Sequence, residues 1–308
     1  MHAIWGRGTP LPGPPTKHIL GRTGIPFMNP TIPALLLLAL SPDTRAPSAP
    51  DTPERGHPAA GRPPLELRAG ERYFRAGGQP TFLLGRNPAG RTVAAYEEHF
   101  RHAAAAGERF MRIHFTHAPP DEPPGEIKVG LLKTWDAILD AAESHGLAVL
   151  PVLGLWSPWN DGTKDETWHL WDKNPFNAAL GGPANLPADL FADTPCRRLW
   201  LKRLETLVRR WSHRRAIVAW EIFSELDLVT GATEEAAVEF AGLAAAVIRE
   251  SDPCRRPVTA SQAGVLEWPK LLSGATLDFI QIHPYADNRF GGRLDDLILS
   301  TVRQRLEK

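Results

Sequence analysis

Short apolar runs alternate with longer amphipathic segments along this chain from about residue 82 onward. Apolar runs of about four to eight residues that lie between helical patterns are typical of buried strands in a parallel sheet. The pattern predicts strands at 82–87, 110–115, 147–153, 216–227, 257–261 and 278–283. It predicts helices at 93–106, 130–145, 196–213, 233–252, 265–272 and 294–306. Two earlier alternating runs, 65–68 and 73–75, predict a small hairpin.

The repeated strand–helix units predict an α/β fold with a parallel sheet and right-handed crossovers. About six units fit either a doubly wound sheet or most of an eight-fold (β/α)8 TIM barrel. The first strand is not followed by Gly-x-Gly-x-x-Gly, so a dinucleotide-binding fold is unsupported. Polar residues gather where the strands end, at Asn87, Arg112, Glu225, Ser261 and His283. Because barrels place their chemistry at the carboxyl ends of their strands, we expect an incomplete TIM barrel.

Residues 1–63 have no sustained hydrophobic period and are rich in Pro, Gly and Ala. Their one strongly apolar run, residues 33–40, is too short to span a bilayer but fits the core of a secretory signal. We expect either a signal peptide on a secreted or periplasmic protein, or a disordered leader on a cytoplasmic one. Met28 lies just before this run and is an alternative start. The barrel domain is placed at residues 64–308.

The charge balance and the two cysteines reduce the number of function classes to consider. The 35 basic and 35 acidic residues cancel, so no global field attracts nucleic acid or an anionic membrane. The basic outer face of the third helix is explained by solvation of an outer barrel helix. Cys196 and Cys254 are predicted at opposite ends of the barrel, too far apart for a disulfide. With no Cys/His cluster, we expect no metal and no cofactor. The pattern gives no indication of the oligomeric state.

The stretch 216–227 ends in two carboxylates. Glu225 follows the apolar run where the strand leaves the core, a position that suits a general acid/base. A salt-bridged glutamate at a strand end is the alternative. Glu221 has the same strand parity but lies about 13 Å deeper along the strand. A buried glutamate needs a partner, which we expect to be Arg112 or a histidine, and we interpret Glu221 as structural.

Two further strands end in polar side chains that suit substrate binding. Arg112 and His114 alternate on the second strand and face the same side. Arg112 can donate a forked hydrogen bond to a carboxylate. His283 and Tyr285 end the sixth strand and can bond hydroxyls or a carboxylate. Each of them could instead be an ordinary satisfied polar residue at a barrel rim.

The long loop 154–193 carries four tryptophans, Trp156, Trp159, Trp168 and Trp171. A loop of this length inside a compact domain is usually functional or disordered. Aromatic rings over a pocket bind the apolar faces of sugars. The alternative is a loop held in place by its own aromatic side chains.

Residues 220–225, Trp-Glu-Ile-Phe-Ser-Glu, resemble the fourth-strand motif of the clan A glycoside hydrolases, in particular of the family 5 cellulases and mannanases. Residues 77–85 resemble that family's opening segment, and residues 278–285 its sixth-strand Asp-Phe-x-x-His-x-Tyr segment. The resemblance covers about residues 65–308. It implies a TIM barrel, a β-linked carbohydrate substrate and a retaining mechanism with Glu225 as acid/base. The substrate-binding residues expected from the resemblance and from the patterns above are Arg112, Ser224, His283, Tyr285, Trp156, Trp159 and Asn87.

The sequence departs from the family pattern in three places. Ser224 stands where the family has the asparagine that bonds the sugar 2-hydroxyl. The third strand lacks the family's terminal histidine and has Leu155-Trp156 there. The family's nucleophilic glutamate lies on a seventh strand, beyond the predicted elements. Glu267 and Asp287 are the nearest other carboxylates, and neither is in the family position.

These departures lead us to expect a fragment or truncated product, inactive and poorly soluble alone, with the nucleophile missing. Because Ser224 and the missing nucleophile weaken the case for catalysis, a non-catalytic, glycan-binding barrel is the alternative. A metal-dependent barrel hydrolase is a third option, which the lack of a His/Asp cluster opposes.

Overall fold

The computed structural model describes residues 65–66, 74–90, 92–115, 120–162, 168–263, 268–273, 276–279 and 281–283. All of them lie in one compact unit. The predicted leader and the predicted helix at 294–306 lie outside the described residues. So do Tyr285, Glu267 and Asp287.

Three short antiparallel strands form a small sheet, β1 (Leu65–Glu66), β2 (Phe74–Ala76) and β3 (Gln79–Thr81). β1 pairs with β2, which confirms the predicted hairpin. β2 also pairs with β3 across a turn at Gly77 and Gly78. The φ angles of these residues, 60° and 77°, are left-handed and favour glycine. β3 is an addition to the prediction, since its proline gives a weak strand signal.

The main sheet is parallel, and its strands follow one another in chain order, β4-β5-β6-β7-β8. A doubly wound sheet reverses its order at one point, so the sequential order agrees with the predicted barrel. The next strand, β9, continues the chain from β8 and pairs in parallel with β10. The bounds are β4 (Gly85–Arg86), β5 (Phe110–His114), β6 (Ala148–Val152), β7 (Trp220–Glu221), β8 (Val258–Thr259), β9 (Ser261–Gln262) and β10 (Gln281–Ile282).

The strand predicted at 216–227 is shorter in the structure. Only Trp220–Glu221 forms a regular strand, while Ile217 and Ser224 make isolated bridges to Val149 and Leu155. The chain therefore follows β6 along most of the predicted length, but with an interrupted ladder. It leaves the extended conformation at Glu225, where φ is 62° and ψ is 60°.

The helices lie close to their predicted positions. They are α1 (Val93–Ala105), α2 (Val129–Ser144), α3 (Pro195–Trp211), α4 (Glu234–Ser251) and α5 (Pro269–Ser273). The hydroxyls of Thr92, Thr194 and Thr233 accept a backbone N–H in the first turns of α1, α3 and α4, which fixes where these helices begin. Short 3-10 helices occupy Ser157–Trp159, Trp171–Lys173, Ala178–Leu180, Pro187–Leu190 and Leu226–Leu228.

Each face of the main sheet packs against an apolar cluster. On the helix side, the predicted inner stripe of α3 is buried, at Trp200, Leu204, Leu207, Val208 and Trp211. On the other face, Phe110, Leu150 and Ala219 pack against Phe74 of the small sheet. Phe74 also meets Phe279 edge to face, with ring centroids 5.0 Å apart. The small sheet thus covers this inner face near the beginnings of β5 and β7, and the polar residues of the inner face lie further toward the carboxyl ends.

Both cysteines are free thiols. Cys196 is the second residue of α3 and is buried, whereas Cys254 is exposed after α4.

Candidate active site

A buried ion pair crosses the inner face of the sheet from β5 to β7. Arg112 donates to both carboxylate oxygens of Glu221, from Nε to Oε2 at 2.7 Å and from Nη2 to Oε1 at 2.6 Å. The two residues are 2% and 0% exposed. Charges this deep are stable only when paired with good geometry, and the fork supplies it. The predicted partnership of Glu221 with Arg112 is confirmed.

Arg112 also binds two neighbours of the ion pair. Its Nη2 donates to the hydroxyl of Ser224 at 2.8 Å, and its Nη1 lies 2.6 Å from Nε2 of His114. Both Arg112 and Ser224 are almost fully buried. That they contact substrate stays a prediction. In this structure both residues are bonded to each other, and Arg112 also to Glu221.

One hydroxyl links the ion pair to Glu225. The Ser261 hydroxyl donates to Oε1 of Glu221 at 3.0 Å, and the backbone N–H of Glu225 donates to the same hydroxyl at 3.1 Å. Ser261 is fully buried at the start of β9. Two hydrogen bonds in series, both through the Ser261 hydroxyl, therefore connect the carboxylate of Glu221 to the backbone N–H of Glu225.

Glu225 has a left-handed backbone, which disfavours every residue with a side chain and costs about 1–2 kcal/mol. Its carboxyl oxygen Oε1 lies 2.5 Å from Nδ1 of His283, which directly follows β10. The side chains are 12% and 4% exposed, respectively. An imidazole in contact with a carboxyl group can donate to the charged form or accept from the protonated form. His283 can therefore stay hydrogen-bonded to Glu225 both before and after the carboxyl group transfers a proton.

The remaining predicted site residues fall in different surroundings. Asn87 directly follows β4, and its buried Oδ1 has no hydrogen-bond partner among the described residues. Trp156 is half-buried, and its backbone N–H donates to the carbonyl of Ser224 at 3.2 Å, so it lies beside the end of β7. Its ring stacks on Trp168, with centroids 6.2 Å apart and an angle of 13° between the planes.

The tryptophans of the long loop divide into two pairs. Trp168 is 48% exposed, so the stack with Trp156 presents an aromatic face to solvent. Trp159 and Trp171 are buried against each other, and Trp159 also packs on Phe176. The prediction that Trp159 binds a sugar face is therefore wrong for this structure, since its ring has no accessible face.

A second buried ion pair anchors the segment after β5. Arg203 of α3 donates from Nη1 to Oδ2 of Asp121 at 3.1 Å, and its Nη2 also donates to the carbonyl of Leu153. Burial raises the pKa of Asp121, although the charge of Arg203 opposes this. The Arg203–Asp121 pair thus connects α3 with the segment after β5 and with Leu153, the residue after β6. Neither of the paired residues contacts Glu225.

Sequence reasoning missed the role of Ser261. It identifies Ser261 as a polar residue at a strand end, but it does not assign it to the site. The available signal was strand parity, because Thr259 and Ser261 lie two positions apart on the predicted strand and so face the same side. Thr259 pairs with Glu221, so this side is the one that Glu221 faces.

No protein-family model matches the chain, and no curated protein sequence matches it. Solved structures do. An endo-1,4-β-mannanase from Rhizomucor miehei matches with a TM-score of 0.57 and 14% identity, covering 71% of each chain. An endo-β-1,4-mannanase from Thermotoga petrophila gives 0.53 and 15%, covering 70% of this chain and 56% of that one. A family 5 glycoside hydrolase from Bacteroides vulgatus gives 0.53 and 15%, covering 80% and 51%.

The chain has the fold of the family 5 glycoside hydrolases. At these identities the likeness concerns the fold, and it confirms the barrel-type fold that the sequence resemblance implies. The chain spans between 51% and 71% of the length of the three matched structures. In the family 5 fold, the carboxyl ends of the parallel strands form the face that carries chemistry. Glu225 lies four residues beyond the end of β7, and His283 directly follows β10, so both lie toward that face.

Among the residues that the structure describes, there is no group of three or more His, Cys, Asp or Glu side chains that could hold a metal ion. Of the helices in the same part of the chain, none is long and apolar enough to cross a membrane.

Proposed function

We propose that this protein is a retaining glycoside hydrolase of β-linked polysaccharides or oligosaccharides, with Glu225 as its acid/base. The observation that carries the proposal is the 2.5 Å contact between Glu225 and His283 at the carboxyl ends of parallel strands. The carboxyl group is mostly shielded from water but retains some exposure. A general acid must meet both conditions, because it is shielded from bulk water and yet within reach of the substrate.

In this mechanism Glu225 first gives its proton to the glycosidic oxygen as the bond from that oxygen to C1 breaks. It then takes a proton from the water that releases the sugar. His283 holds Oε1 of Glu225, so we assign Oε2 to the proton transfer. The imidazole keeps the carboxyl group in one orientation during both steps.

A retaining mechanism needs a second carboxyl group about 5–5.5 Å from the first. Glu221 is the carboxylate linked to Glu225 through Ser261, but Arg112 holds both of its oxygens. We therefore propose that the nucleophile comes from outside the described residues, in line with the seventh strand of the resemblance.

The substrate that we propose to test first is β-1,4-mannan, because two of the matched structures are named endo-1,4-β-mannanases. The exposed stack of Trp156 and Trp168 supports a sugar ligand, since aromatic faces pack on pyranose rings. The backbone N–H of Trp156 donates to the carbonyl of Ser224, the residue that precedes Glu225.

The test supplies an external nucleophile. Formate can attack C1 in place of a carboxylate nucleophile, while Glu225 protonates the leaving oxygen. We expect formate to increase the release of new reducing ends from mannohexaose by the purified chain, and Glu225→Gln to abolish that increase. Glu205→Gln, an exposed change on α3, is the matched control and should retain it. Formate-dependent release that survives Glu225→Gln would overturn the assignment.

A non-catalytic, glycan-binding barrel is the second candidate, and the exposed tryptophan stack is the observation that favours it. Calorimetry with mannohexaose separates the two. Binding that Trp168→Ala abolishes, with no cleavage under any of the above conditions, would favour the binder. Absence of both binding and cleavage would contradict both functions.

We also propose that the protein is secreted or periplasmic, on the basis of the apolar run at residues 33–40. Amino-terminal sequencing of the protein from its native cells tests this. A mature start after residue 40 supports export, and retention of the apolar run would contradict it.

A further inference from the structure

The backbone of Glu225 is held in an unusual conformation at the point where the proposed chemistry takes place. Its φ of 62° and ψ of 60° lie in the left-handed region. Within the described residues, Glu225 and Arg255 are the ones other than glycine with positive φ. Such a conformation persists only when the surroundings determine it. The contacts of the Glu225 backbone therefore show what determines it.

The directions of the hydrogen bonds around Ser261 follow from chemistry. Glu221 is paired with Arg112 and so accepts only, which means that the single hydroxyl hydrogen of Ser261 points at Oε1 of Glu221. The lone pairs of that hydroxyl are then left to accept, and the N–H of Glu225 donates to one of them. The ion pair thus orients the hydroxyl, and the hydroxyl in turn holds the Glu225 amide.

The same ion pair also holds the preceding residue. Arg112 donates to the Ser224 hydroxyl at 2.8 Å, so both residues of the Ser224–Glu225 peptide are tethered to one buried pair. Beyond Glu225, its carbonyl accepts from the N–H of Leu228, and Leu226 is fully buried. The turn is therefore fixed on both sides, and the side chain of Glu225 is directed to His283.

We propose that Ser261 is a positioning residue for the acid/base, through which the Arg112–Glu221 ion pair holds Glu225 in its left-handed conformation against His283. The inference rests on the proposed function for its catalytic consequence, but its structural part stands without it. Ser261 does not itself touch the reacting atoms. It acts through the backbone of Glu225.

Amide hydrogen exchange at Glu225, measured by NMR on the full chain, tests the structural part. Ser261→Ala should speed this exchange about tenfold, the loss expected for one hydrogen bond. Thr259→Val is the matched control, because Thr259 is an equally buried hydroxyl nearby that donates to Phe279 and not to Glu225. It should leave Glu225 exchange unchanged. Ser261→Thr keeps the hydroxyl and should restore slow exchange.

The functional part is read from formate-dependent cleavage of mannohexaose. We expect Ser261→Ala to lower kcat between about tenfold and about a hundredfold with little change in KM, as for a misplaced catalytic group. Ser261→Thr should recover kcat. If Ser261→Ala does not fold, Ser261→Cys, which retains a weak acceptor, should give an intermediate exchange rate and kcat.

The outcomes separate the two proposals. Unchanged Glu225 exchange in Ser261→Ala would overturn the positioning role, even if Glu225→Gln abolishes cleavage. Faster exchange together with cleavage that is absent in every variant would keep the positioning of Glu225 and overturn the glycosidase. Equal effects of Ser261→Ala and Thr259→Val would reduce Ser261 to general packing and overturn the inference.

Discussion

At the scale of single residues, Glu225 combines a functional side chain with a strained backbone. The left-handed conformation costs little for glycine and about 1–2 kcal/mol for other residues. Strain of this kind is found where a side chain must be aimed, and it lowers the stability of the fold. In this structure the strain directs the carboxyl group to His283.

Replacing Glu225 by glycine and by alanine isolates that strain. Both changes remove the contact with His283, so their difference reports the backbone alone. We expect Glu225→Gly to be more stable than Glu225→Ala by about 0.5–1 kcal/mol, measured by urea denaturation. Equal stabilities, or a more stable alanine variant, would mean that the backbone at this position is not strained.

Part of the site could be predicted from residue types, and part could not. Strand parity and burial are enough to narrow the partner of Glu221 to Arg112 or a histidine, because a buried carboxylate needs a partner. The left-handed turn at Glu225 has no such signal, since glutamate does not indicate positive φ. The link through Ser261 depends on that turn, and for this reason it emerges only from the structure.

At the scale of elements, α2 and α3 are joined by ion pairs that the sequence analysis treated as a solvated basic face. Asp136 of α2 accepts from Nε of Arg210 at 3.1 Å and from Nε1 of Trp211 at 2.9 Å. Arg214, three residues after the end of α3, pairs with Asp140 of α2. Part of the basic face of α3 thus binds its neighbouring helix.

This contact predicts a pH dependence of stability. Burial acts to raise the pKa of Asp136, but hydrogen bonds from Arg210 and Trp211 outweigh it and hold the pKa below its usual value of 3.8. A carboxylate with a lowered pKa stabilises the fold above its unfolded pKa, and the stabilisation is lost as the pH falls through the folded pKa. Asp136→Asn should therefore be less stable than the parent at pH 6, with the difference shrinking below about pH 4.

Urea denaturation of both proteins between about pH 3 and pH 7 measures this difference. Asp140→Asn is the control, because Asp140 is mostly exposed and its pair with Arg214 should contribute little. A stability gap for Asp136→Asn that does not vary with pH would contradict the assignment.

The limits of sequence reasoning differ between elements. The start and end of α1 and α4 could be predicted closely, because threonine caps and apolar stripes mark them. Strand lengths could not, since an apolar run does not show where a ladder is interrupted. The burial of Trp159 but not of Trp168 could not be predicted either, because four tryptophans in one loop carry the same signal.

At the scale of the whole molecule, the sequential order of the parallel strands sets the position of the site. Each unit brings the end of one strand next to the end of the following one, so Arg112, Glu221 and Ser261 meet although they are far apart in the chain. The alternation of strands and helices was enough to predict this arrangement. The contacts within it required the register.

Exposed apolar residues beside β4 lead us to predict that the chain self-associates. Phe82 and Leu84, just before β4, are 58% and 55% exposed, and among the strands that the structure describes β4 is the terminal one of the five-stranded sheet. Exposed apolar groups beside a sheet edge promote pairing between molecules. We expect sedimentation velocity to show concentration-dependent association of the chain, which Phe82→Ser with Leu84→Ser reduces. A parent chain that remains monomeric at high concentration would contradict this.

The central claim, that Glu225 is the acid of a glycoside hydrolase, is tested most directly by varying the leaving group. A general acid matters for a poor leaving group and hardly for a good one. In the presence of formate, we predict that Glu225→Ala cleaves a 2,4-dinitrophenyl β-mannoside at nearly the parent rate and loses at least about a hundredfold on mannohexaose. An equal loss on both substrates, or no loss on either, would contradict the assignment.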